Sequence, residues 1–130
     1  LAEDLAARFP DADLVPAGMG MDRAIAQVVD VMLGEAPVGE LVLDLKGTAF
    51  QLAVWDALRA IQPGDTASYA EVAAAIGKPG AVRAVAAACA ANPVAVIVPC
   101  HRVVRSDGSL SGYRWGVERK RALLAWETAA

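Results

Sequence analysis

Cys100 and His101 stand side by side, and His101 is the only histidine in a chain of 130 residues. A thiol next to an imidazole is a pairing from which nucleophilic chemistry can be built. The thiolate is the reactive form of cysteine, and a base within hydrogen-bond reach, directly or through one water, can supply it. Pro99 precedes the pair, and before it runs Val94-Ala95-Val96-Ile97-Val98. That apolar run predicts a short buried strand ending at Pro99, which would place the thiol at the end of a rigid element. The competing reading is a buried packing cysteine beside a surface histidine, since free cysteine is among the most buried residue types. A carboxylate, an imidazole and a thiol together would supply an orienter, a base and a nucleophile, and Glu127 lies near the end of the chain's last predicted helix.

The elements that must position these groups read as mostly helical. Alanine dominates the apolar content, which favours helix. Leu1 to Phe9 predicts a short helix and Asp22 to Leu33 a longer one, with Ile25, Val28, Val29 and Met32 on one face. Leu41 to Leu45 reads as a strand. Thr48 and Gln51 form a capping box opening a helix to about Ile61, with Phe50, Val54, Leu58 and Ile61 as its core stripe and Trp55 widening it. Ser68 and Glu71 form a second capping box, opening a helix that Gly77 ends. Lys78-Pro79-Gly80 connects it to a further helix from about Ala81 to Ala91, stopped by Asn92-Pro93. Val103-Val104 is a short extended piece, and Val117 to Glu127 a final helix expected to expose Arg119, Lys120 and Arg121 and to pack Leu123, Leu124 and Trp126.

Helix, short glycine-containing turn, helix is the helix-turn-helix pattern. The second helix has almost no side chain able to read a base edge, and one cation, Arg83, near its start. It could approach DNA closely without selecting a sequence; an ordinary packed hairpin is the alternative. Charge divides unevenly along the chain. Residues 1–65 carry four Lys/Arg against eleven Asp/Glu, and residues 66–130 eight against four, within a net −3. A basic half, with Arg102, Arg105, Arg114, Arg119, Lys120 and Arg121, points to an anionic partner, nucleic acid first. Two separated cysteines and one histidine do not make a zinc set, so neither a metal nor another cofactor is expected. No apolar run reaches the length of a membrane span, and no signal-peptide pattern opens the chain. A cytoplasmic monomer without membrane contact is expected. The absent initiator methionine points to a piece of something longer.

Pro99-Cys100-His101-Arg102-Val103-Val104, with Asn92-Pro93 upstream and Ser111-Gly112-Tyr113-Arg114-Trp115-Gly116 downstream, resembles the O6-alkylguanine-DNA alkyltransferases. The C-terminal domain of the bacterial adaptive-response type is the nearest pattern, and the likeness runs from about Leu43 to Glu127. The resemblance implies an α/β, mostly helical fold: an alkyltransferase C-terminal domain over 46–130, with its helix-turn-helix at about 68–91, preceded by a partial, truncated α/β N-terminal lobe over 1–45. It implies irreversible, single-turnover transfer of a methyl group from O6-methylguanine, and O4-methylthymine, in duplex DNA, with the damaged nucleotide flipped out.

Carried over, Cys100 resembles the alkyl acceptor, His101 the base acting through a water, and Glu127 the carboxylate that orients it. Asn92 resembles the hinge asparagine, and Tyr69 the tyrosine that lies near the flipped nucleotide and can protonate the leaving guanine. Arg83 resembles the arginine that replaces the flipped base. Ala84, Ala87, Arg102 and Arg105 join Arg83 and Tyr69 as expected DNA contacts, through the minor groove rather than the major groove that the helix pattern alone suggests. Val103, Tyr113, Arg114 and Trp115 are expected to line the base pocket, and the bulk of Arg114 and Trp115 predicts a preference for methyl over benzyl. Two other readings compete: a non-catalytic lesion binder, against which the presence of Cys100 argues, and a cysteine hydrolase, which leaves the arginine-rich face unexplained.

Overall fold

The computed structural model describes residues 2–8, 10–11, 19–33, 45–110 and 112–129. The strand expected over 41–45 lies outside them but for Leu45. The chain divides into two compact units, Leu1–Ala36 and Pro37–Ala130. The first holds α1 (Ala2–Arg8) and α2 (Met19–Met32). On α2 the side chains of Met21, Ile25, Val29 and Met32 recur at helical spacing and are exposed.

The second unit holds Cys100, His101 and Glu127. Its first helix, α3 (Ala49–Arg59), begins at a complete capping box. The Gln51 N–H donates to Thr48 Oγ1 at 3.1 Å, and the Thr48 N–H donates to Gln51 Oε1 at 3.0 Å, so two donors that a helix start leaves orphaned are satisfied reciprocally. Val54, Trp55 and Leu58 are buried on one face of α3, and burying Val54 and Leu58 stabilises by about 2 kcal/mol each. Gly47 admits the Trp55 ring: a Cβ there would lie 2.8 Å from it.

Ala67–Ser68 (β1) leads directly into α4 (Tyr69–Ala75), whose start Ser68 caps by accepting the Glu71 N–H at 3.0 Å. Gly77, at φ +77°, turns the chain after α4, a left-handed conformation that glycine adopts without a Cβ clash. Next comes α5 (Val82–Ala90), which buries Val85, Ala88 and Cys89 and turns Arg83, Ala84 and Ala87 outward. The Trp55 indole N–H donates to the Ala88 carbonyl at 2.9 Å in the core, locking α3 to α5. A 3-10 turn, Cys100–Arg102, runs into β2 (Val103–Val104), which pairs in parallel with β1 in the register Ala67 with Val103 and Ser68 with Val104. The last helix is α6 (Val117–Ala129). Among the described residues, helices joined by a two-stranded parallel sheet give a mostly helical α/β arrangement.

Three expectations are corrected. Residues 94–98 form a tight turn and not a strand. The Val98 N–H donates to the Val94 carbonyl at 2.9 Å, and Val96 takes φ +74°. The Asn92 side chain dictates this, accepting the Val94 N–H at 2.9 Å and donating to the Val98 carbonyl at 2.7 Å. Lys120 and Arg102 are buried and not on an exposed basic face, because each ammonium or guanidinium finds partners inside. Trp126 stays 49% exposed instead of packing.

Candidate active site

Cys100 lies in the hydrophobic core at 4% exposure, in the 3-10 turn that follows Pro99. Its N–H donates to the Val98 carbonyl at 2.8 Å, so the turn that Asn92 clamps also fixes the backbone of the cysteine. Burial pushes the thiol above its ordinary value, while a hydrogen bond from the Asn92 side chain and the nearby Lys120 ammonium pull it back in part. A thiol so placed rests neutral and needs a base to become a nucleophile.

His101 is fully buried, and its Nε2 meets Glu127 Oε1 at 2.7 Å. Glu127 is pushed up by burial but drawn down further by hydrogen bonds from Arg102 and His101, so it lies below its ordinary value and is ionised. An ionised carboxylate only accepts, so the proton of the neutral imidazole sits on Nε2 and the Nδ1 lone pair is left to act as a base. Among the described residues, His101 Nδ1 is the one buried side-chain polar atom without a hydrogen-bond partner. Burial lowers the imidazole's pKa, and Glu127 opposes that shift.

Two buried cations complete the surroundings. Arg102 grips Glu127 through Nε at 3.1 and 3.2 Å and through Nη2 at 2.7 Å, and its Nη1 donates to the Ile61 carbonyl just beyond α3. Lys120 donates to the Val103 carbonyl at 2.5 Å and stands 5.8 Å from the centre of the Tyr69 ring. Burial lowers its pKa, and both Cys100 and Cys89 act against that. Sequence reasoning missed Lys120. The available signal was its spacing: seven residues before Glu127, it shares with that carboxylate one face of α6. Cys89, also missed as a neighbour of the site, is pushed up to about 12 by burial and by Cys100.

Tyr69 is half-buried and is held above its ordinary value by burial and by Cys89 and Cys100. It therefore stays a protonated hydroxyl at neutral pH. Arg105 is exposed, as are Arg83, Ala84 and Ala87 on the outer face of α5. Val103 is a core residue at 0% exposure, reaching the site through its carbonyl. Tyr113 and Trp115 stack obliquely, 5.3 Å apart at 58°, and the exposed Arg114 lies over the Trp115 ring at 5.4 Å. With Ala95, Val96 and residues of α6, the two aromatics line a cleft of about 420 Å³. Among the described residues no group of acidic, histidine or cysteine side chains could hold a metal ion, and no helix is long and apolar enough to cross a membrane.

Comparison with known proteins bears on this arrangement directly. Residues 49–129 match the family model of the 6-O-methylguanine DNA methyltransferase DNA-binding domain. The chain belongs to the 6-O-methylguanine DNA methyltransferase family. It is 54% identical over 127 residues to the bifunctional transcriptional activator/DNA repair enzyme Ada of Escherichia coli, covering 98% of this chain and 36% of that one. It is 51% identical over 104 residues to a methylated-DNA–protein-cysteine methyltransferase of Mycobacterium bovis, covering 80% of this chain and 63% of the relative. The structure of Mycobacterium tuberculosis OGT in complex with DNA superposes with a TM-score of 0.75 at 50% identity, covering 82% of this chain and 66% of that one. This methyltransferase-family chain thus spans about a third of the first relative's length and under two thirds of the second's. The family match takes in every element of the site, from α3 to α6.

Proposed function

We propose that this chain repairs DNA by moving a methyl group from O6 of guanine, or O4 of thymine, in duplex DNA to Cys100, once per molecule. One observation carries the reading: a core thiol adjoins a neutral imidazole whose Nε2 is tied to Glu127 and whose Nδ1 has no partner. In the reaction His101 Nδ1 takes the Cys100 proton, through one water. The Sγ electron pair forms a bond to the methyl carbon as the carbon–O6 bond breaks, and that bonding pair stays with the guanine. The Tyr69 hydroxyl donates a proton to the departing base and is reprotonated from His101, so charge and protons balance. The product is a thioether. It has no proton to return and no bond that water readily opens, which makes the transfer stoichiometric.

Positions 46–130 supply this activity in the proposal, with 68–91 as the hairpin that docks on DNA. The exposed, slim face of Arg83, Ala84 and Ala87 suits close approach to a groove with little base readout. Flipping the nucleotide brings the methyl carbon to the thiol, and Arg83 fills the gap in the stack. Tyr113, Trp115 and Arg114 bound the base pocket, and Trp115 restricts it to small alkyl groups. A free benzylated guanine base is expected to inactivate the chain poorly; efficient inactivation at low micromolar levels would overturn the restriction. We place the activity in the bacterial cytoplasm, in a monomer that needs no cofactor.

The test is intact-mass measurement after incubation with duplex DNA containing O6-methylguanine, with Cys100→Ala beside it. The expected result is one methyl on the unaltered chain and none on the variant. DNA binding without a mass gain would make the protein a lesion binder, and turnover of an ester would make it a hydrolase.

A further inference from the structure

We propose that Arg102 is a positioning residue that keeps His101 in its neutral, proton-accepting form by sharing the Glu127 carboxylate with it. The inference rests on the reading of Cys100 as methyl acceptor and His101 as its base. It removes Arg102 from the expected DNA contacts, since the side chain is turned inward and 8% exposed.

A carboxylate beside a buried imidazole ordinarily favours the imidazolium. An imidazolium carries protons on both nitrogens and cannot take one from a thiol. Glu127 therefore poses a problem for the base it orients. Arg102 resolves it by geometry. Its guanidinium makes three hydrogen bonds to the two carboxylate oxygens, and Nη2 reaches the same Oε1 that accepts from His101 Nε2, both at 2.7 Å. Guanidinium does not lose its proton in proteins, so the carboxylate is already neutralised by a permanent partner.

The charged groups facing His101 are Glu127 and Lys120 from α6 and Arg102 from its own turn, beside the thiol of Cys100. One anion and two cations already surround the ring, and protonating it would add a third cation to a buried cluster. Both cations lower its pKa, in line with that count. The fourth Arg102 bond, Nη1 to the Ile61 carbonyl at 2.7 Å, moors the guanidinium to the chain beyond α3. Glu127 is thus held by a group fixed at both ends, which sets the direction of its bond to the imidazole. The arrangement separates two jobs: Glu127 fixes the tautomer and orientation of His101, and Arg102 prevents it from also protonating the ring.

The sole histidine makes the test clean. Imidazole nitrogen-15 spectra of the histidine-labelled chain report one ring, its tautomer and its titration without reference to activity. In the unaltered chain the ring is expected neutral at pH 7, with its proton on Nε2 and a midpoint below the ordinary 6.5. Arg102→Gln is expected to raise the midpoint by about one pH unit. The same variant should lower the single-turnover methyl-transfer rate at pH 6, relative to pH 8.5, about threefold further than in the unaltered chain, the difference growing toward tenfold as the pH falls below both midpoints. Arg102→Lys restores the charge without the fork, so its midpoint should return toward the original while the rate stays reduced at every pH.

A folded Arg102→Gln chain with the original midpoint overturns the proposal. So does an imidazolium at pH 7 in the unaltered chain, a measurement that stands even where the variant does not fold. A chain that takes up no methyl yet shows the titration difference overturns the methyl-acceptor reading and still supports this role for Arg102.

Discussion

Glu127 and His101 meet at 2.7 Å across 26 residues of chain, the carboxylate from the last helix and the imidazole from the turn after Pro99. Glu127 also neutralises a buried arginine, so the two functions of this one side chain fail together. Glu127→Gln keeps an acceptor for Nε2 but strands the Arg102 charge. The variant is expected to lose about 3–5 kcal/mol of stability, the usual cost of removing one partner of a buried ion pair. Methyl transfer should slow at least tenfold. Urea unfolding and single-turnover kinetics measure the two effects, and an unchanged urea midpoint would contradict the first.

Lys120 is the cation that both thiols sense. Lys120→Met removes a charge that favours the Cys100 thiolate and leaves the Val103 carbonyl without its donor. The rate of methyl transfer near pH 7 is expected to fall about tenfold, the equivalent of one unit of thiol pKa. It should recover as the pH is raised, because hydroxide then does what the ammonium did. A loss that is flat with pH would assign Lys120 to structure alone.

Acid should weaken the fold in two stages. The His101 pKa is lowered in the folded chain from 6.5. Between that folded value and 6.5 the unfolded chain binds one proton more than the folded one, so stability falls as pH drops through this window. The slope approaches about 1.4 kcal/mol per pH unit. Glu127, lowered from 4.5, adds a second loss below that pH. Urea midpoints taken from pH 7.5 to 4 should show the first decline in the unaltered chain and a flat stretch there in His101→Gln.

Asn92 fastens the turn that carries the cysteine. Asn92→Ala leaves the Val98 carbonyl and the Val94 N–H without their side-chain partners. The Val98 carbonyl keeps the Cys100 N–H as a partner, so the cost falls mainly on the half-buried Val94 N–H, and a drop of about 1–3 kcal/mol is expected by urea unfolding. Freed of its clamp, Val96 should also relax from φ +74°, a conformation that costs a β-branched residue about 1–3 kcal/mol. The Val96→Gly chain, with no such strain to release, should therefore lose more stability on adding Asn92→Ala than the unaltered chain does.

Much of this arrangement is legible in the sequence. The capping boxes at Thr48 and Ser68, the glycine end of α4 and the paired helices over 69–90 are local patterns, and local patterns survive folding. The adjacency of Cys100 and His101 is covalent, so it too could be read directly. Residues 94–98 misled because their apolar composition fits a strand, while the deciding contacts come from the side chain of Asn92. Arg102 and Lys120 misled for a related reason. A long cationic side chain reads as surface until a carboxylate or a carbonyl inside the fold is found to receive it. Such partners are distant in sequence, and no local periodicity announces them.

That distance has a kinetic corollary. Arg102 reaches Ile61 across 41 residues, Trp55 reaches Ala88 across 33, and β1 pairs with β2 only after α4 and α5 intervene. Long closures of this kind are made after local helices form, and they slow folding. During refolding, helical signal should therefore return before the nitrogen resonances of His101 reach their native positions. The capacity to accept a methyl group should appear last, in step with those resonances, because the thiol, base and orienter of residues 100–127 are fixed by partners as distant as Ile61.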